Sequence, residues 1–142
     1  MKLSNNFYLQ EFVPLRIFNR FGEMSTRFIH PLVPVICQKF RDRFNVPITI
    51  NDLYKEGLRD DSGFRMPNSI GAPLSAHKRG MAADLVFQKI DFFELQKDII
   101  DNYENVYRDW GLTVIEKNTV TWLHFSVEWV KGSHLFTIPF YK

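Results

Sequence analysis

A single cysteine, Cys37, occurs in the 142-residue chain, so no internal disulfide can form. It lies in the apolar run Val33-Pro34-Val35-Ile36-Cys37, which predicts a buried, inert thiol rather than a nucleophile. No apolar run is long enough to span a bilayer, which argues against membrane insertion. The first residues, Met1-Lys2-Leu3-Ser4-Asn5-Asn6, lack the apolar stretch and small-residue cleavage site of a secretory signal, so the expectation is synthesis in the cytoplasm. Neither sign of charge dominates. With 18 Lys and Arg against 16 Asp and Glu the formal net charge is +2, a mild basicity that falls far short of a nucleic-acid signature. Internal repeats and low-complexity segments are also missing, and the length suits one domain over residues 1–142 that buries its own core as a monomer.

Aromatic residues, in contrast, are abundant: 14 Phe, 5 Tyr and 3 Trp supply core volume and leave some rings to line a groove. Chemistry concentrates between Pro73 and Phe87, read as PLSAHKRGMAADLVF, where His77 precedes Asp84. Asp84 sits among Met81, Ala82, Ala83, Leu85, Val86 and Phe87, apolar company in which an ionised carboxylate is costly unless a cation or good donors meet it. A bound metal is the simplest partner. Gly80 permits a close backbone approach, and the two alanines leave room beside the carboxylate.

Near the C-terminus, Thr121-Trp122-Leu123-His124-Phe125-Ser126-Val127 alternates as a strand does, placing His124 and Ser126 on one face and Leu123 and Phe125 on the other. His77, Asp84 and His124 together make two imidazoles and one carboxylate. That set leaves a fourth tetrahedral position open for water, the arrangement of a catalytic zinc. The same donors also compose the facial triad of mononuclear iron oxygenases, for which no cosubstrate signature accompanies them here.

The spacing Ser75-x-His77-x-x-Gly80-x-Ala82-x-Asp84, followed by Trp122-x-His124, resembles the zinc D-alanyl-D-alanine carboxypeptidase family, which includes the L-alanyl-D-glutamate peptidase endolysins of bacteriophages. Gly63-Phe64-Arg65 resembles the Gly-Tyr-Arg segment that precedes the histidine motif there, so the likeness covers roughly Ile48 to Val127. The resemblance implies a hydrolase of peptidoglycan stem peptides with one Zn2+, released to the cell wall by a holin if it is a phage endolysin. It also implies that Arg65 stands near the substrate, where a guanidinium can clamp a carboxylate through two parallel hydrogen bonds. In many members an acid stands three positions before the last histidine; this chain has Thr121 there, which cannot move protons.

A peptidase still needs such a group. A three-residue loop, Lys117-Asn118-Thr119, between strands Leu112–Glu116 and Val120–Trp129 would set Glu116 opposite Val120 and Leu112 opposite His124. Glu116 then shares the ligand face and is the first candidate for general base, with Glu128 the second. His30, before Pro31, and His134, in an expected turn Lys131–His134, read as surface or capping residues, His134 being the reserve ligand.

The remaining chain predicts an α+β domain: a small antiparallel sheet carrying the zinc site, with two main helices packed against it. Apolar spacing from Phe28 through Leu32, Val35, Ile36, Phe40 and Phe44 marks a helix beginning between Pro31 and Pro34 and ending at Asn45. Asp91-Phe92-Phe93-Glu94 has the form of a capping box opening a second helix to about Asn102. Strands are expected at Ile48–Asn51, Met81–Phe87 and Leu135–Tyr141, a long irregular loop at Lys55–Ala72, and a short docking segment at Asn6–Phe12. A metal-stabilised structural or virion domain that has lost hydrolysis is the competing expectation, resting on Thr121.

Overall fold

The computed structural model of the chain describes residues 1–132 and 134–140, so Ser133, within the expected turn, and Tyr141, at the end of the expected last strand, lie outside the described residues. Helix α1 spans Leu15–Phe21, α2 Leu32–Phe44 and α3 Phe92–Asp101. Strands β1 (Ile48–Thr49), β2 (Ala82–Phe87), β3 (Val114–Lys117), β4 (Leu123–Ser126) and β5 (Phe136–Pro139) form a five-stranded sheet in the order β1-β2-β4-β3-β5. The expected α+β class, with the His and Asp residues at the sheet, is what the chain forms.

Local chemistry explains the boundaries. Helix α2 starts after Pro31 and carries Pro34 in its first turn, where a missing N–H costs nothing, and it stops at Asn45 in the left-handed region (φ 50°) ahead of Pro47. Asp91 opens α3 by accepting hydrogen bonds from the N–H groups of Phe93 (2.9 Å) and Glu94 (3.1 Å). Strand β1 is shorter than expected because Asn51 is used elsewhere: its N–H donates to the Glu11 carbonyl and its side chain holds the N–H of Ser62 and the carbonyl of Val13.

Parity along the strands divides the sheet into a packing face and a site face. Ala83, Leu85 and Phe87 of β2, Ile115 of β3, and Leu123 and Phe125 of β4 are buried against Val33, Ile36 and Phe40 of α2 and Leu95 and Ile99 of α3. Asp84, Glu116, His124 and Ser126, one residue out of step, share the opposite face. The segment Asn6–Phe12 docks as expected, with Phe7, Leu9 and Phe12 fully buried.

Two details of the sheet differ from the sequence reading. Ile115 pairs with Phe125 and Val114 with Ser126, a register shifted by four residues from the one that would set Glu116 opposite Val120. In addition, β5 runs parallel to β3 while every other pairing is antiparallel. Strand β4 is already flanked by β2 and β3, so the chain leaving it must cross β3 to reach a free edge, and arrives there parallel to it.

Candidate metal centre

His77 stands in a short helical turn, Ala76–Arg79, closed by Gly80 at φ 69°. A Cβ on Gly80 would lie 1.9 Å from the Phe28 carbonyl oxygen, and the Gly80 carbonyl accepts from the His30 N–H at 2.9 Å. The turn that presents His77 therefore requires glycine for both its dihedral and its contact. Gly80→Ala is expected to cost about 2–4 kcal/mol of stability, read by urea unfolding; an unchanged midpoint would contradict this account of the turn.

Asp84 and His124 are direct cross-strand partners on β2 and β4. Such pairs hold their side chains side by side on one face. His77 reaches the same point from the turn before β2. The distances are 2.9 Å from His124 Nδ1 to Asp84 Oδ1, 3.1 Å from His77 Nε2 to His124 Nδ1, and 3.2 Å from His77 Nε2 to Asp84 Oδ1.

The tautomer of His77 follows from its neighbour. Its Nδ1 lies 2.8 Å from the Gly63 carbonyl oxygen, which can only accept, so Nδ1 carries the proton and the neutral ring directs the Nε2 lone pair at the other two ligand atoms. A proton on His124 Nδ1 can serve one edge of this triangle at a time. A cation at its centre satisfies all three corners at once. Donors about 2.0–2.1 Å from a tetrahedral ion stand about 3.3 Å apart, close to the spacing present here. His77, Asp84 and His124 thus fit a metal ion, and Gly63 supplies the outer hydrogen bond that fixes a ligating imidazole.

Burial pushes the Asp84 carboxyl up, but hydrogen bonds and positive charge from His124 and His77, which those rings supply when protonated rather than in the neutral form that binds a metal, hold it well below the usual carboxylate range. Arg65 also braces it, Nη2 donating to Asp84 Oδ2 at 3.1 Å while Nε donates to the Asp61 carbonyl at 2.6 Å. Arg65 lines the cavity above the triad, and these two bonds use two of the five N–H groups of its guanidinium.

That cavity has a volume of about 520 Å3 and is walled by Glu116, Trp122, Ile138 and Phe140 on the sheet side and by Gly71, Ala72, Leu74, Ser75 and Ala76 on the loop side. Continuing the β3–β4 register places Glu116 across from His124. A shift of four residues is even, so Glu116 keeps the face that the sequence assigned to it. Burial raises its carboxyl above the ordinary value, His124 opposes this, and the Asp84 charge adds to it. Thr121 is exposed and takes no part in the cavity wall.

Glu128 also borders the cavity, but both its oxygens are occupied: Oε1 accepts from Ser126 Oγ at 3.1 Å and Oε2 pairs with Arg79. His30 accepts from the Leu32 N–H at the start of α2, the capping role expected of it. His134 borders a different cavity and is not one of the three clustered ligands. Cys37 is fully buried, and burial followed by the Glu11 charge drives its thiol well above the usual range, which keeps it inert.

Several supporting residues were not foreseen from the sequence. Lys78 donates to the carbonyls of Ser69 (3.0 Å) and Gly71 (3.1 Å), pinning the far end of the long loop so that it forms a fixed wall. Trp122 and Phe140 meet edge to face at 5.0 Å, joining β5 to the rim. A lysine in a polar segment gives no sequence signal of such a contact. Gly63 belongs to the Gly63-Phe64-Arg65 motif, and its carbonyl acquires a role only in the fold, which sets it beside His77. No helix among the described residues is long and apolar enough to cross a membrane. Comparison with known proteins found no matching family model, no matching curated protein and no matching solved structure.

Proposed function

We propose that the protein is a zinc-dependent peptidase that hydrolyses an amide bond in peptidoglycan stem peptides, in the manner of a phage endolysin. The observation that carries this reading is the convergence of His77 Nε2, Asp84 Oδ1 and His124 Nδ1 at 2.9–3.2 Å beneath an open cavity that also holds Glu116. Three protein donors, rather than four, match a catalytic zinc, and the motif spacing supports zinc over iron. When bound, zinc supplies Lewis acidity toward a carbonyl and a water.

The chain's own groups account for the remaining work. Glu116 accepts a proton from the attacking water at its carboxylate and returns one to the leaving amine nitrogen, a role its raised proton affinity favours. Arg65 holds Asp84 in place through Nη2 and offers Nη1 to a substrate oxygen. Trp122, Ile138 and Phe140 exclude water from one side of the cleft. The cavity is wide enough for a short peptide and lies between the pinned loop and the edge of β5, open at the surface.

Thr121 favours the competing reading, a metal-stabilised domain without turnover, because the acid found in many members of the resembled family is missing at that position. The two readings separate on chelation. A peptidase loses stem-peptide cleavage when zinc is stripped and recovers it when zinc is restored, whereas a structural domain shows no cleavage in either state and changes only in stability. Absence of cleavage by fully zinc-loaded protein would overturn the proposal.

A further inference from the structure

A second cavity, of about 480 Å3, adjoins the first, with Glu128 bordering both. On its wall stands Trp129, 85 % exposed although it is among the largest apolar side chains in the chain. Its indole gives the edge of the cleft an exposed aromatic face. His30, Thr113, Arg108 and His134 are arranged around the same cavity, and Tyr103 and Leu112 contribute to its lining.

Arg108 is paired with Glu104 at 2.7 Å, and Glu128 with Arg79; neither Glu104 nor Arg79 borders the cavity. Both formally charged side chains of the wall, Arg108 and Glu128, thus already have a partner of opposite sign. What remains is an aromatic face with imidazole, hydroxyl and guanidinium edges around it. That combination suits a neutral, polyhydroxylated ring, whose C–H bonds lie on the negative face of the indole while its hydroxyls meet the polar edges.

We propose that the Trp129 cavity is a sugar-binding subsite, taking an uncharged pyranose of the glycan strand while the attached peptide enters the metal cavity. The choice of glycan rests on the peptidoglycan reading of the metal site, since stem peptides are covalently carried on a sugar polymer and the two cavities share a wall. Glu128 is then a fixed divider: its carboxylate is held by Ser126 and Arg79, and its carbonyl accepts from Thr113 Oγ1.

The test is co-sedimentation of the full chain with insoluble glycan strands stripped of their peptides, which reads binding without any hydrolysis and so stands or falls apart from the peptidase reading. The parent protein sediments, and Trp129→Ala binds about tenfold or more weakly. Trp129 is too exposed for its loss to unfold the domain, which an unchanged thermal midpoint verifies; Trp129→Phe, keeping an aromatic face, recovers part of the binding. Equal sedimentation of parent and Trp129→Ala, or no sedimentation of the parent with stripped glycan, would overturn the proposal.

Discussion

Glu116→Gln should bind metal as the parent does and cleave stem peptides about 10²–10⁴-fold more slowly. The amide keeps the size and shape of the carboxylate and its place across from His124, but it cannot take a proton. The ligand atoms of His77, Asp84 and His124 are untouched, so zinc content measured on the purified variant stays at the parent value. The loss should fall on kcat rather than on KM, since the proton moves only in the chemical step. Glu128→Gln is the informative comparison. Because Glu128 is already held by Ser126 and Arg79, its change to the amide should affect turnover far less than that of Glu116. Wild-type kcat in Glu116→Gln would remove Glu116 from the mechanism.

The second large effect is expected at the metal itself. His124→Ala removes one corner of a three-atom site and leaves Asp84 Oδ1 and His77 Nε2 as the remaining pair, 3.2 Å apart. Losing even an outer-shell partner costs roughly 10–100-fold in metal affinity, so the loss of a direct ligand should exceed that. Zinc at micromolar concentration then no longer saturates the protein, and cleavage falls to background. Stability should follow the metal: free zinc at about 1,000 times its dissociation constant contributes about 4 kcal/mol to the parent. Chelation should therefore lower the parent's thermal midpoint and leave that of His124→Ala unmoved. An equal fall in both proteins would mean that the metal sits elsewhere.

The sequence carried the site further than it carried the sheet. Proline positions bracketed α2, and the acidic residue before Phe92 marked the start of α3, because both act through the backbone of their own segment. Alternation along β2 and β4 put Asp84 and His124 on one face, and the fold made them direct partners. The β3–β4 loop is longer than the sequence predicts for a tertiary reason. Val120 and Thr121 have the β-branched character of a strand, but Gln96 of α3 binds the loop instead, accepting from the Asn118 N–H and donating to the carbonyl and hydroxyl of Thr119. Asn118 turns the chain at φ 66°, and β4 begins only at Leu123. A buried glutamine on a distant helix leaves no trace in the local pattern. Glu116 kept its face because the slip was even; an odd slip would have turned it into the core.

Arg65 makes contacts that only the folded chain defines. The sequence gives no sign that one Nη2 hydrogen meets Asp84 or that the path of the backbone past Asp61 decides where Nε goes. The roles of Gly63 and Lys78 were beyond sequence reading for the same reason, since each acts through a carbonyl contact that exists only in the folded chain. The aromatic abundance divided as expected between core and groove: Phe40 packs against Phe87, Tyr107, Trp110 and Phe125, while Trp122 and Phe140 border the metal cavity.

The measurement that bears most directly on the metal centre as a peptidase is mass spectrometry of the fragments released from purified peptidoglycan by zinc-loaded protein, with His124→Ala beside it. The parent is predicted to release stem-peptide fragments sharing one new amino terminus or one new carboxyl terminus, which also identifies the bond, and the variant to release none. Intact peptidoglycan after incubation with protein carrying one zinc per chain, or the same fragments from His124→Ala, would contradict it.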